Sequence, residues 1–283
     1  MPFLVGVAIG IAALVAYGLA DYFGAISSKR IGGFQTSLVS RFVSLIFVGA
    51  IFLIFFHLPQ ITLQTVAIIG LTGLFAVIGL SSLNKGFQVG NVSLVIPIGN
   101  SSSLVTVLLL LLVLGVPIAG LEAVGIAAII VGTILVSFKL KKLKFKKGAK
   151  GLGYAIVAMV CVGAEMFLFV ILVQRLGWFI PVVLIYLVMF GYSLIYSLAA
   201  RTKFPNLKPL LPLVVVVGIL AAVAYLAESI GIGLNYPLIV VPLASASAAL
   251  TAALAFFVLK EKLDFNQKMG MLIILAGLII LSL

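Results

Sequence analysis

The sequence predicts an all-α integral membrane protein with ten transmembrane helices, arranged as two inverted five-helix repeats. Three observations support this fold class: an apolar composition, ten long apolar segments, and a pattern of glycines that recurs along the chain. The chain has 283 residues, of which 64% are hydrophobic and 8% are charged, with a mean hydropathy of +1.42. A soluble domain is about 45–50% apolar and about 25% charged. Such a chain belongs in a lipid bilayer.

Ten apolar segments are candidates for the spanning helices, because about 20 apolar residues cross a bilayer. They are residues 3–26, 34–56, 64–84, 92–114, 119–138, 151–173, 179–199, 210–232, 237–259 and 268–283. These runs lack the alternation of apolar and polar residues that is typical of outer-membrane barrels. The first segment is too long for a signal peptide and has no basic region before it, so we expect it to span the membrane.

The longest loop, residues 139–150, contains seven lysines. Basic loops face the cytoplasm, so with ten spans both termini lie on the opposite side of an inner or plasma membrane. The other basic residues near span ends fall on the lysine side, except Arg175. The net charge of +12 is therefore explained by topology, and we expect no nucleic-acid partner.

An internal repeat appears when residues 1–138 are laid on residues 146–283. Seven glycine pairs then coincide, together with rarer pairs such as Pro97 with Pro242. We therefore predict a first repeat at residues 1–138, a basic cytoplasmic linker at residues 139–150 and a second repeat at residues 151–283. An odd number of spans in each repeat inverts the second repeat, an architecture that favours alternating access and transport.

Two prolines occupy equivalent places in the fourth and ninth predicted spans. Pro97 precedes a run that includes Asn100 and Ser101, and Pro242 precedes Ser245. Each proline removes a backbone donor, so we expect helix kinks at Pro97 and Pro242 beside a row of polar side chains.

Five ionisable side chains lie inside or at the edges of predicted spans, where charge is costly and usually faces a wet cavity or a partner. They are Asp21, Arg41, Lys85, Glu165 and Glu228. Each could form a structural ion pair, contact a substrate or, for the carboxyl groups, carry a proton. Polar neighbours accompany them. Tyr17 lies one turn before Asp21, Tyr225 lies three residues before Glu228, and Asn84 precedes Lys85.

Metal and cofactor chemistry finds little support in the composition. The chain has one cysteine, Cys161, and one histidine, His57, which excludes a disulfide framework and a Cys/His metal site. No phosphate-binding loop motif is present. We therefore expect no metal, no cofactor and no enzymatic activity.

The motifs resemble those of the drug/metabolite transporter superfamily in its EamA-like ten-helix form. The segment Tyr17–Gly24 is similar to the family's first-helix motif, and residues 86–98 (GFQVGNVSLVIPI) are similar to its entry into the fourth helix. Residues 259–263 (LKEKL), followed by Gly270 and Gly277, resemble the junction of the ninth and tenth helices. In the first half Gly115-Val116-Pro117 replaces that motif's glutamate, which suggests that the glutamate belongs to a loop.

The resemblance implies a secondary transporter, mostly an exporter, of small polar metabolites such as amino acids or drugs. It implies a central cavity lined by helices 1, 3, 4, 6, 8 and 9. On this sequence the substrate-binding candidates are Tyr17, Asp21, Asn84, Lys85, Asn100, Ser101, Glu165, Tyr225, Glu228 and Ser245. The expected partners are a small-molecule solute, the lipid bilayer and, as a candidate coupling ion, protons. A monomer and a homodimer both fit.

Three other functions stay open from the sequence alone. A membrane scaffold or receptor would have a dry interior in which Asp21, Glu165 and Glu228 pair locally. A membrane-embedded lipid enzyme needs a nucleophile with a base, or a carboxylate cluster, and neither is visible. A channel would show a ring of like charges or a carbonyl filter, which is also not visible.

Overall fold

A computed structural model describes residues 2–55, 59–89, 95, 98–137, 145–202, 208–260 and 263–282. Across these residues the regular structure is entirely helical. His57 and Pro97 lie outside the described residues, as do positions 138–144 at the start of the lysine-rich segment.

Eleven helices are numbered here in chain order. They are α1 Pro2–Ile31, α2 Gly33–Phe55, α3 Leu63–Val89, α4 Ser102–Val113, α5 Gly120–Ser137, α6 Phe145–Leu176, α7 Ile180–Ala199, α8 Leu211–Gly233, α9 Pro237–Ser245, α10 Ser247–Leu259 and α11 Phe265–Ser282.

Eight helical segments of the described chain are long and apolar enough to cross a membrane. Two shorter apolar helices, Ile98–Val113 and Phe265–Leu281, fall at the fourth and tenth predicted spans. The all-helical membrane class is therefore confirmed, and eight of the ten predicted spans have a membrane-crossing length. The ninth span consists of α9 and α10, which meet at Ala246, four residues after Pro242.

The predicted linker differs from the structure at its second half, because α6 begins at Phe145 rather than near residue 151. The segment from Phe145 to Lys150 contains three lysines and one alanine, which are good helix formers.

The first turn of each repeat uses the same backbone geometry. Gly32 between α1 and α2 has a φ of 94°, and Gly177 between α6 and α7 has a φ of 78°. These two glycines are partners in the sequence repeat. Positive φ suits glycine because it has no Cβ, so the repeated glycine supports the same sharp turn in both halves.

Helix packing repeats when the two halves are exchanged. Helix α3 packs along α6, and its counterpart α8 packs along α1. Helix α2 packs on α8, and its counterpart α7 packs on α3. Helices α5 and α11 are counterparts of each other and pack together. This exchange is the pattern expected of two repeats related by an approximate two-fold axis.

Glycines bring α5 and α11 into backbone contact. A Cβ added to Gly132 would lie 2.7 Å from the carbonyl oxygen of Gly270, and one added to Gly270 would lie 2.7 Å from that of Gly132. Gly125 and Gly277 form the equivalent pair, at 3.2 and 2.8 Å. Small residues allow such close packing in membranes, where apolar lipid provides little hydrophobic drive between helices.

A second exchanged contact joins α1 to α10 and α6 to α4. The hydroxyl of Thr251 donates to the carbonyl of Gly18 at 3.1 Å, and that of Thr106 donates to the carbonyl of Gly163 at 3.1 Å. Position 106 is the repeat partner of position 251, and position 18 is the repeat partner of position 163. The two hydrogen bonds are therefore equivalent.

We predict that Gly270→Ala destabilises the protein by about 1–3 kcal/mol, the usual cost of overpacking a close contact. Gly49→Ala is the matched control, because nothing lies within 4 Å of a Cβ added there. Alanine is favoured over glycine inside a helix by about 0.5–1 kcal/mol, so Gly49→Ala is expected to be neutral or stabilising. Thermal unfolding in detergent measures both variants. Equal midpoints for Gly270→Ala and Gly49→Ala would contradict the close α5–α11 contact.

Candidate functional site

A cavity of about 900 Å³, here called the main cavity, is lined by residues from the middle of the bundle to one of its ends. We call this end, where α5 ends and α6 begins, the linker end, and the opposite end the far end. The cavity is lined by α1, α2, α5, α8, α10, the start of α11 and Asn100. Ser28, Ser137 and Gln267 line it near helix termini at the linker end, and Tyr17 lines it at mid-depth. Its volume is in the range of small-molecule sites.

Charged and polar side chains share the wall of this main cavity with small apolar ones. Asp21 is exposed, and Arg41 lines another wall. The Asn100 amide donates to Ser137 Oγ at 2.7 Å. Ala221, Ala248 and other small residues complete the surface. A wall of this kind accommodates a solute with both charged groups and an apolar part.

The far end of α1 is closely packed against α9. A Cβ added to Gly6 would lie 2.7 Å from Tyr236 Cγ, and one added to Gly10 would lie 2.5 Å from Leu243 Cδ1. Ser229, which is fully buried near the far end of α8, donates to the carbonyl of Trp178. Among the described residues, the main cavity therefore extends to the linker end, while these contacts close the bundle at the far end.

A second cavity of about 450 Å³ lies between α2, α3 and α7. Lys85, Ser81 and Ser193 line it together with Arg41, which also lines the main cavity. Arg41 Nη1 donates to Ser193 Oγ at 2.7 Å, and Ser193 donates in turn to the carbonyl of Met189. The Arg41 guanidinium thus lies where these two cavities adjoin.

A small pocket of about 190 Å³ lies beyond Tyr17, toward the far end. Tyr17 lines both this pocket and the main cavity. Its hydroxyl donates to Glu228 Oε2 at 2.9 Å, and Glu228 lines the pocket. Tyr17 therefore lies where the main cavity adjoins a small pocket that contains a carboxyl group.

The two deeply buried glutamates each accept a hydrogen bond from a tyrosine. Glu228 is 2% exposed and is bonded to Tyr17, whereas Glu165 is 6% exposed and accepts from Tyr225 at 2.7 Å. The Tyr225 ring packs on Phe169 at a centroid distance of 4.7 Å. A buried carboxyl needs such a partner, because an unpaired one is costly in an apolar interior.

These pairs form one polar cluster at the centre of the bundle. Glu165 interacts electrostatically with both Arg41 and Glu228. Tyr186 lies beside Ser44, and its ring is 5.6 Å from that of Tyr225. The cluster therefore contains two carboxyl groups, one guanidinium and three tyrosines, drawn from α1, α2, α6, α7 and α8.

The predicted site residues are divided among the three cavities and the cluster. Tyr17, Asp21 and Asn100 line the main cavity, Lys85 lines the second cavity, and Tyr17, Glu228 and Ser245 line the small pocket. Glu165 and Tyr225 are paired behind these surfaces, and Ser101 is buried just before α4. The side chain of Asn84 is outside the described set. Lys85 is thus not beside Asp21, because α3 faces the second cavity.

Sequence reasoning missed several cavity residues. Arg41 stood out as a charge within a span, but it was not predicted as a site residue, although it lines two cavities. Ser102 and Ser247 are repeat partners, and both line the small pocket. Paired polar positions in the repeat were the available signal for them. No sequence signal marks Ser137 or Gln267, because cavity walls are set by packing.

We predict that Ala248→Cys is modified rapidly by a positively charged, water-soluble methanethiosulfonate, because Ala248 lines the open cavity. Ala224→Cys is the matched control, since Ala224 is 0% exposed. Both variants are made in a Cys161→Ala background and compared in right-side-out and inside-out vesicles. Faster labelling of Ala224→Cys than of Ala248→Cys would contradict the cavity.

Comparison with known proteins also divides the chain into two repeats. The model of the EamA-like transporter family matches residues 4–138 and again residues 149–283. No curated protein matches the sequence. A solved crystal structure, described only as that of a protein, superposes with a TM-score of 0.78 at 15% identity, covering 97% of this chain and 94% of the other. That likeness shows the fold alone. The family model covers both repeats, and the chain belongs to the EamA-like transporter family.

Proposed function

We propose that the protein is a secondary transporter of small polar organic solutes that works by alternating access between its two repeats. The observation that carries this proposal is the main cavity of about 900 Å³, which among the described residues extends to the linker end while α1 packs against α9 at the far end. Inverted repeats with a site near mid-depth are a recurrent transporter architecture.

The exchanged contacts support a second state open at the opposite end. The far-end contact uses Gly6 of α1, and its repeat partner Gly151 gives α6 the same small surface at the linker end. The hydrogen bond of Thr251 to Gly18 and the equivalent bond of Thr106 to Gly163 are both present in this state. A swap of the two repeat conformations closes the linker end and opens the far end without new kinds of contact.

The charges of the main cavity favour a zwitterionic solute. Asp21 offers a carboxylate for a solute ammonium group, and Arg41 offers a guanidinium for a solute carboxylate. Ala221, Ala248 and Val217 provide apolar contact between them. An amino acid or a similar metabolite combines these three features.

The tyrosine–carboxyl pairs provide a route for coupling to protons. An ionised Glu228 holds Tyr17 by a charge-assisted hydrogen bond, and protonation of the carboxyl group weakens that bond. Tyr17 is then released from the position that separates the cavity from the pocket. Four groups surround Glu228 and influence its charge: Tyr17 on α1, Glu165 on α6, Tyr186 on α7 and Tyr225 on α8.

The direction of transport follows from the basic residues. If the lysine-rich residues 139–150 face the cytoplasm, the main cavity opens to the cytoplasm and loads solute from there. This orientation in the cell membrane suits an exporter.

A scaffold or receptor is the second candidate. Glu165 and Glu228 are satisfied locally by Tyr225 and Tyr17, as a structural role requires. The main cavity and the exposed Asp21 carboxyl group favour transport instead.

Uptake and counterflow in proteoliposomes test the proposal, with labelled amino acids, nucleosides, sugars and amines, with and without a pH gradient. We expect saturable flux of an amino-acid-like solute that responds to the gradient. Glu165→Gln and Glu228→Gln are expected to abolish the gradient response while the protein stays folded. Glu122→Gln is the matched control, because Glu122 only accepts a bond from the Ala119 amide near the start of α5.

Two results would contradict these expectations. If gradient-driven flux is unchanged in Glu165→Gln and Glu228→Gln, the proton route is excluded, but the proposal that the protein is a transporter stands. If no panel compound shows saturable flux although the cavity is accessible to thiol reagents, the result favours the scaffold function. Circular dichroism and gel filtration of each variant show that a lost flux is not a lost fold.

A further inference from the structure

The small pocket beyond Tyr17 has seven oxygen-bearing side chains in its lining, together with the apolar side chains of Val162, Met166, Val241 and Ala244. One carboxyl group, that of Glu228, stands among five aliphatic hydroxyl groups and the hydroxyl of Tyr17. The aliphatic hydroxyls belong to Ser102, Ser103, Thr106, Ser245 and Ser247. The pocket lies between α1, α4, α6, α8 and the α9–α10 segment. The proton route proposed above uses only Tyr17 and Glu228 of this set.

Four of these hydroxyl protons are donated to groups other than a pocket ligand. Ser247 donates to the Asp21 carboxyl group. Tyr17 donates to Glu228 at 2.9 Å, and Ser245 donates to the carbonyl of Pro242 at 2.7 Å. Thr106 donates to the carbonyls of Gly163 and Ser102, at 3.1 and 3.3 Å. A hydroxyl oxygen whose proton is used still has lone pairs to offer. The lining is therefore rich in acceptors and poor in free donors.

Ser103 supplies an independent sign of a ligand. Its side chain is 3% exposed, and its Oγ is buried without a hydrogen-bond partner in the described part of the chain. Buried polar atoms are nearly always paired, so an unpaired hydroxyl beside a cavity indicates that something else completes it. Ser103 lines the same pocket as Glu228.

Charge and ligand type point to a monovalent cation. Hard cations take oxygen ligands, but Ca²⁺ sites usually combine several carboxylates, whereas this lining has one. No cluster of three or more His, Cys, Asp or Glu side chains occurs among the described residues, as a transition-metal site would need. One carboxylate with neutral oxygens balances a single positive charge.

We propose that this pocket binds Na⁺, with Glu228 and Ser103 among its ligands. The inference deepens the proposed function by naming a second coupling ion. Na⁺ binding needs an ionised Glu228, so Na⁺ and a proton compete for this carboxyl group, and both act on the residue that holds Tyr17. Glu165, from α6, adds a second carboxyl group nearby, while Arg41 lies on its other side. On α1, the Asp21 carboxyl group is hydrogen-bonded to Ser247, which lines the pocket.

The test uses the purified full-length protein in detergent, with Na⁺ as the probe. Thermal unfolding is measured in increasing NaCl, with choline chloride keeping the ionic strength constant and KCl as the comparison. Equilibrium binding of radioactive sodium is measured in parallel. We expect a saturable stabilisation by Na⁺, because a ligand that binds only the folded state raises the midpoint. Apparent Na⁺ affinity is expected to fall as pH is lowered.

Variants connect the response to the pocket. Ser103→Ala is expected to weaken Na⁺ affinity by roughly tenfold, through loss of one oxygen ligand. Glu228→Gln is expected to abolish binding, and Glu228→Asp, which keeps the charge, covers the case in which Glu228→Gln fails to fold. Ser27→Ala is the matched control. Ser27 is fully buried but donates to the Phe23 carbonyl and does not line the pocket.

Two results overturn the cation site. One is equal stabilisation of the protein by Na⁺, K⁺ and choline. The other is a response to Na⁺ that is unchanged in Ser103→Ala and Glu228→Gln. Because the readout is ion binding, its outcome is distinct from that of solute transport. Solute flux without any sodium binding overturns the site and leaves the proposed function intact. Sodium binding lost in both variants, without flux of any solute, supports the site and contradicts the proposed function.

Discussion

Close approach of helix backbones at duplicated glycines is the constraint on which the rest of this structure depends. In lipid, helices gain little from burying apolar surface, so they associate where small residues let them touch. Gly125 and Gly132 on α5 meet Gly277 and Gly270 on α11, and the two pairs are counterparts of each other under exchange of the repeats. These contacts hold the two repeats together along a symmetric seam. The contact of α3 with α6 and its counterpart, the contact of α8 with α1, follow the same symmetry.

The polar centre is a consequence of placing charge inside such a bundle. Glu165 and Glu228 are nearly inaccessible, and each is satisfied by a tyrosine from another helix. Those hydrogen bonds link α1 to α8 and α6 to α8, so the cost of the buried carboxyl groups is offset by contacts that also fix helix positions. In the proposed proton route, protonation of Glu228 weakens its hydrogen bond to Tyr17 and so changes a contact between α8 and α1.

Two side chains determine how the internal spaces are divided. Tyr17 stands between the open cavity and the small pocket, and Arg41 stands between the open cavity and the second cavity. Both are bonded to other helices, Tyr17 to Glu228 on α8 and Arg41 to Ser193 on α7. A movement of α7 or α8 relative to α1 and α2 therefore changes the boundaries of the cavities. Tyr17 and Arg41 therefore belong both to the wall of the main cavity and to the polar cluster.

The sequence by itself determined the membrane class, the helical content and the two-repeat architecture. It could do so because hydropathy and glycine spacing are local properties that survive in the linear chain. It also identified which charges are unusual, since any ionisable residue within a span is costly whatever surrounds it. Only the tertiary structure decided that Asp21 lines the open cavity while Glu165 is sealed behind Tyr225, and that Lys85 belongs to a different cavity from Asp21. Those outcomes depend on helix rotation and on which helices adjoin, and neither is encoded in the spacing of residues along one helix.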